Sequence, residues 1–162
     1  MHRAWLITVV SILGLGIGLA LAGIAVLKLD TPKKSGQPPL PMTQLIIKTN
    51  TGSTTLEVEL ATTGAQQEAG LSDRAGLKDG EGMLFVFDPP STPGFWMKDM
   101  RFSLDIIFAD AAGNIVTIYK NLSPETYPQQ FYPTSPARYV LEVPAGFAQA
   151  HGLAVGQKID MQ

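Results

Sequence analysis

The apolar residues of this chain fall into two regimes. From Ala4 to Leu27 they form a 24-residue run without a charged side chain. Beyond residue 42 they come in short bursts divided by Gly, Pro, Asn and Asp. As a helix rising about 1.5 Å per residue, the first run spans the ~30 Å hydrocarbon core of a bilayer. His2 and Arg3 precede it, and Lys28, Lys33 and Lys34 follow it. Two readings stay open: an uncleaved anchor that leaves the following domain outside the cell membrane, or a secretory signal cleaved after Ala20-Leu21-Ala22. The run exceeds the ~7–15 residues of a usual signal core and continues past that triplet, which favours the anchor. Gly14, Gly18 and Ala22 lie four apart along one helix face, a spacing that lets two membrane helices pack as a homodimer. Residues 28–42 contain four prolines and read as an extended linker.

In the second regime the period is two. Gln44–Lys48 and Thr54–Leu60 are predicted to pair about the turn Asn50-Thr51-Gly52-Ser53. Leu56, Val58 and Leu60 take one face, Glu57 and Glu59 the other. Thr63 followed by Gln66 forms a capping-box pattern that opens a short helix from Gly64 to about Leu71. Met83–Phe87 is an unbroken apolar run after the turn Asp79-Gly80-Glu81-Gly82, hence a buried strand. Phe95–Lys98 and Leu104–Ala109 follow as strands, and Asp110–Asn114 turns the chain into a strand at Ile115–Tyr119. Residues 121–136 carry Pro124, Pro128, Pro133 and Pro136 and form a long loop, a common form of binding loop. Tyr139–Val143, a helix at Ala145–His151 stopped by Gly152, and Lys158–Met161 complete the chain. The pattern predicts an α+β, mainly β domain over 43–162, a small partly closed barrel of short strands with two short helices. An N-terminal hydrophobic helix (1–27) and the linker (28–42) precede it.

Charge and composition then narrow the function. Residues 43–162 hold eight Lys or Arg against thirteen Asp or Glu, a net of −5, which argues against nucleic acid as a partner. The chain has no Cys and only His2 and His151, so thiolate chemistry and a His-based zinc site are excluded and no metal or cofactor is expected. No phosphate loop, dinucleotide fingerprint or nucleophile elbow occurs.

The chemistry-bearing residues cluster around one stretch, Gly94 to Phe108. Alternation there puts Trp96 and Lys98 on one side and Phe95, Met97 and Asp99 on the other. Either Trp96 caps the barrel's outer edge, or Trp96 and Lys98 face a groove as a stacking platform beside a cation, a pairing that suits an anionic or sugar-like ligand or a partner peptide. Asp105 sits in an apolar strand with Ile107 and Ala109 on its side. A buried carboxylate needs donors or a cation. Asp105 is therefore either a structural acceptor of backbone amides or a polar anchor at the barrel mouth, with Arg74, Lys98 and Arg101 as candidate partners. Arg74, just after the first helix, is read as a salt-bridging residue or a ligand contact. Glu142 faces the same way as Val140, opposite Leu141. Pointing inward it would make an acidic pair with Asp105, able to do acid–base work or bind a cation.

Several of these residues occur in an ordered string: Gly70-Leu71, Asp73-Arg74, Gly82 to Phe87, Phe95-Trp96-Met97-Lys98, Leu104-Asp105-Ile106-Ile107-Phe108 and Val140-Leu141-Glu142. Over roughly 44–161 the string resembles the prokaryotic family called domain of unknown function 192. The resemblance implies a compact β-rich fold, often behind a signal or anchor, with no settled activity. Ser72 stands where members commonly have Met, and Asp99-Met100 where they commonly have Asn-Thr. The leading expectation is a non-catalytic, membrane-tethered envelope module on the extracytoplasmic, periplasmic side. It would bind a small ligand or protein partner in a groove of Arg74, Trp96, Lys98 and Asp105, rimmed by the 121–136 loop. The alternatives are an enzyme acting on an envelope polymer through Asp105 and Glu142, and a structural accessory domain of a membrane complex.

Overall fold

The computed structural model describes residues 39–49 and 52–161. The N-terminal apolar run, its Gly14, Gly18 and Ala22 stripe, and most of the linker lie outside the described residues. Among the described residues no helix is long and apolar enough to cross a membrane. Gln37–Gln162 is a compact unit that contains every strand, helix and core residue described below.

Strands β1 (Met42–Thr49) and β2 (Gly52–Ala61) form the predicted antiparallel hairpin, Leu45 opposite Leu56. Helix α1 (Gly64–Ala69) starts at the capping box: Gln66 N–H donates to Thr63 Oγ1 (3.4 Å) and Thr63 N–H to Gln66 Oε1 (3.0 Å). It stops at Gly70, whose φ of +45° a side chain seldom adopts, so Leu71 is a buried residue beyond the helix rather than its last turn. The α1 crossover returns the chain parallel to β2 as β3 (Glu81–Ser91). β4 (Leu104–Ala109), β5 (Ile115–Leu122), β6 (Ala137–Pro144), helix α2 (Phe147–Ala150) and β7 (Lys158–Met161) follow.

The seven strands form one sheet in the order β5-β4-β6-β3-β2-β1-β7. The sheet curls into a half-barrel whose edge strands meet at one end. There Ile115 N–H donates to Gln157 O and Ile159 N–H to Gly113 O, both at 2.8 Å. The turn into β5 is organised by Asp110, whose Oδ1 accepts from the amides of Ala112 (2.9 Å) and Asn114 (2.8 Å).

Both faces are dry at the centre of the sheet, whereas β1 and β2 alternate buried with exposed residues. The concave face receives Leu45, Ile47, Leu56, Val58, Ile107 and Leu141 together with Ala148 of α2. The opposite face receives Met83, Phe85, Ile106, Phe108 and Val140, covered by Leu71, Phe95, Met97 and Phe131 from the irregular segments. β4 is consequently buried at every residue.

Two elements differ from the sequence expectation. Phe95–Lys98 is not a strand: only Phe95 pairs, across an isolated antiparallel bridge to Phe131, with N–H···O distances of 3.0 and 2.7 Å. Pro93 and Gly94 precede it and Asp99 turns the chain at φ +56°, so the alternating side chains have no ladder to extend. β3, by contrast, runs past Pro89 and Pro90 to Ser91, with a register shift after Val86 that takes the prolines out of the pairing with β6.

Candidate functional site

Asp105 has no exposed surface. Its Oδ1 accepts from the amides of Asn121 (2.8 Å) and Gly146 (3.2 Å), and its Oδ2 from the amide of Ala148 (2.8 Å). Three backbone donors converge on one carboxyl, tying β4 to β5 and to the start of α2. That start has no cap from its own residues, because its N-cap is Gly146. Asp105 is thus a structural acceptor. None of Arg74, Lys98 and Arg101 forms an ion pair with it.

The predicted acidic pair is not assembled. In the β4–β6 ladder Asp105 stands opposite Val143 and Glu142 opposite Ile106, one register step apart. Side chains one step apart leave a sheet on opposite faces. Asp105 goes with Ile107 and Val143 to the concave cluster, and Glu142 goes to the face of Met83 and Ile106.

Glu142 meets a different environment there. It is 5% exposed, its carboxyl makes no hydrogen bond among the described residues, and it borders the cavity described below. It stands in a row across the sheet, with Met83 beside it on β3 and Glu59 beyond on β2. Arg74 reaches back from the turn after α1 to hold Glu59, both terminal guanidinium nitrogens donating to its carboxylate at 2.7 Å. Burial pushes the Glu142 carboxyl up to about 8, against the weaker opposing pull of the Arg74 charge. At neutral pH it is therefore mostly a neutral acid, able to donate as well as accept a hydrogen bond.

Glu142 lines a cavity of about 250 Å³ beneath α1 and the Phe95–Met100 segment. Phe85, Phe87, Phe95 and Trp96 supply aromatic wall, Glu68 and Gln130 polar rim. Phe95 packs edge-on against Phe85 at 4.9 Å and Phe108 at 5.6 Å, which fixes the segment on the sheet. Its neighbour Met97 is buried too, so Trp96 and Lys98 face out, as alternation predicted. Trp96 is 44% exposed; Tyr127 of the long loop meets its ring at 5.8 Å, and Lys98 Nζ lies 5.7 Å from it. The loop is pinned by the Phe95–Phe131 bridge and by Tyr119 Oη donating to Tyr132 O at 2.8 Å, and it contributes Gln130 to the rim.

Of the residues expected to share a groove, Trp96 lines the cavity and Lys98 lies beside its ring without lining it. Arg74 is committed to Glu59, and Asp105 lies across the sheet. Asp73 (φ +62°) and Asp99 (φ +56°) bring the two neighbouring turns together: Asp73 N–H donates to Asp99 O (2.9 Å) and Ser72 Oγ to Lys98 O (3.2 Å). Ser72 and Met100 consequently both line the cavity. Gln67 and Glu68 on α1 and Gln130 in the loop were not singled out from the sequence. Each is an ordinary surface-type residue until the crossover and the loop fold over the sheet.

A family model described as DUF192, Uncharacterized ACR, matches residues 46–161. The chain belongs to this family. Two solved structures are similar. One is a protein of unknown function from Novosphingobium aromaticivorans, 29% identical at a TM-score of 0.72, covering 80% of this chain and 99% of that one. The other is described as a candidate transcription regulator from Sinorhizobium meliloti, 31% identical at a TM-score of 0.74, covering 78% of this chain and 98% of that one. No curated protein matches the chain.

Proposed function

We propose that this DUF192 domain is a non-catalytic binding module that takes a small organic ligand into the cavity between Trp96 and Glu142. The N-terminal apolar run would hold it at the outer face of a membrane. One observation carries the reading: a buried carboxyl without a hydrogen-bond partner, directed into an aromatic-walled cavity. Burying such a group without a partner costs stability, and a ligand that satisfies it recovers the loss. Catalysis through two carboxyls has less support, because Asp105 and Glu142 open onto opposite faces. The acidic charge of the domain argues against nucleic-acid binding and so gives no support to carrying over the transcription regulation that the Sinorhizobium protein's description names. Ser72 and Met100, where the chain departs from common family residues, both border the cavity and tune its ligand to this member.

The test is a thermal-shift screen of the full chain in nonionic micelles against sugars, amines, amino acids, cell-wall fragments and lipid head groups. A ligand at a hundred times its Kd stabilises the fold by about 2.7 kcal/mol. Hits abolished by Trp96→Ala would support the reading, and hits indifferent to both Trp96→Ala and Glu142→Gln would refute it. Protease accessibility of the domain in intact spheroplasts checks its placement outside the membrane.

A further inference from the structure

The chemistry of the cavity wall points to one ligand class, on the premise that the cavity is a binding site. The acids Glu142 and Glu68 border it together with four aromatic rings, and no Lys, Arg or His lines it. A carboxylate among aromatic faces attracts a cation twice, by direct charge pairing and through the negative faces of the rings. The nearby cations are engaged outside the cavity. Arg74 grips both oxygens of Glu59 at 2.7 Å, and Lys98 Nζ lies over the Trp96 ring, 5.7 Å from its centroid. We propose that the cavity binds an organic ammonium ion, with the charged head against Glu142 and the apolar body against Phe95 and Trp96. The volume of about 250 Å³ suits a small head with a short chain and falls below the ~300–1,000 Å³ of sites for drug-sized ligands.

Binding of a cation is coupled to a proton. The empty site keeps Glu142 protonated through neutral pH, because burial raises its carboxyl to about 8. The bound site requires the carboxylate, so ammonium binding expels the proton and affinity rises with pH towards that value. The other charged groups facing Glu142 are Arg74 from the turn after α1, Glu59 from β2 and Glu68 from α1. Lys98 lies outside the lining, over the Trp96 ring, and Met83 and Ile106, the neighbours of Glu142 on β3 and β4, carry no charge.

Isothermal titration of the full chain in nonionic micelles tests this with choline and its neutral isostere, in which carbon replaces nitrogen. Choline carries a fixed charge, so its own titration does not enter. The expected result is choline binding at least about tenfold tighter than the isostere, strengthening roughly tenfold or more from about pH 6 to 8. Proton release should show as a buffer-dependent heat, and binding should be lost in Glu142→Gln and weakened in Trp96→Ala. Circular dichroism checks that both variants fold. Equal binding of choline and isostere, or choline affinity unchanged in Glu142→Gln, would overturn the ammonium assignment and leave cavity binding in place. Binding of neither would also overturn it. The broader reading then stands only if the screen of other compounds yields a Trp96-dependent hit.

Discussion

Replacing Glu142 by Gln keeps the shape of the side chain and removes its titration. In the unfolded chain the carboxyl ionises near 4.5, whereas in the folded domain burial holds the proton to about 8. Between these values the native state binds more protons than the unfolded state, so stability falls as pH rises through the window and levels off above it. At 1.36 kcal/mol for each pH unit separating the two values, the wild-type loss is on the order of 4 kcal/mol. The Gln variant lacks this loss. Its own buried amide adds an offset of about 1–3 kcal/mol that does not vary with pH. The difference between variant and wild type should therefore rise in the variant's favour by on the order of 4 kcal/mol from pH 4.5 to 8 and be flat outside that range. Urea unfolding of Gln37–Gln162 at a series of pH values measures it. With a slope near 1.5 kcal/mol/M the midpoints should separate by an additional ~2–3 M. Glu59, Glu68 and Arg74 are common to both proteins, so their titration cancels to first order in the difference. A difference independent of pH would refute the assignment of Glu142 as a buried, unpartnered acid.

Asp105→Ala removes the acceptor of three backbone amides and should cost about 3–5 kcal/mol, read as a lowered urea midpoint. A cost below about 1 kcal/mol would contradict its structural role. Arg74→Met takes the bidentate partner from Glu59 and the attractive charge from Glu142. It should move the Glu142 titration to still higher pH, followed by carboxyl-carbon NMR; a downward move would refute the Arg74 contribution. In Gly113→Ala the new Cβ would lie 2.5 Å from the Ile159 carbonyl oxygen, at a φ of +84°. A loss of about 2 kcal/mol or more is expected, with faster hydrogen exchange at the Ile159 amide, which donates to Gly113 O. Unchanged exchange there would mean that the half-barrel edges do not depend on this contact.

Local chemistry was legible in the sequence. The pattern of apolar positions placed all seven strands to within a few residues, because at least one face of each must be dry. The Thr63–Gln66 box opened α1 where the capping hydrogen bonds form. Alternation also separated Trp96 and Lys98 from Phe95 and Met97, and Glu142 from Leu141. The family string at 44–161 reappears as the family match at 46–161. What the string could not contain was register. Whether Asp105 meets Glu142 depends on how β4 is paired with β6, and a one-residue step sends the two carboxyls to opposite faces. The residues around the cavity, Glu68, Phe85, Trp96, Gln130 and Glu142, come from five separate stretches of chain. Their meeting required the α1 crossover and the pinned loop to fold over the sheet. Sequence decided which side chains must be buried; only the tertiary structure decided which of the buried acids found donors, because a backbone amide can satisfy a carboxyl from any distance along the chain.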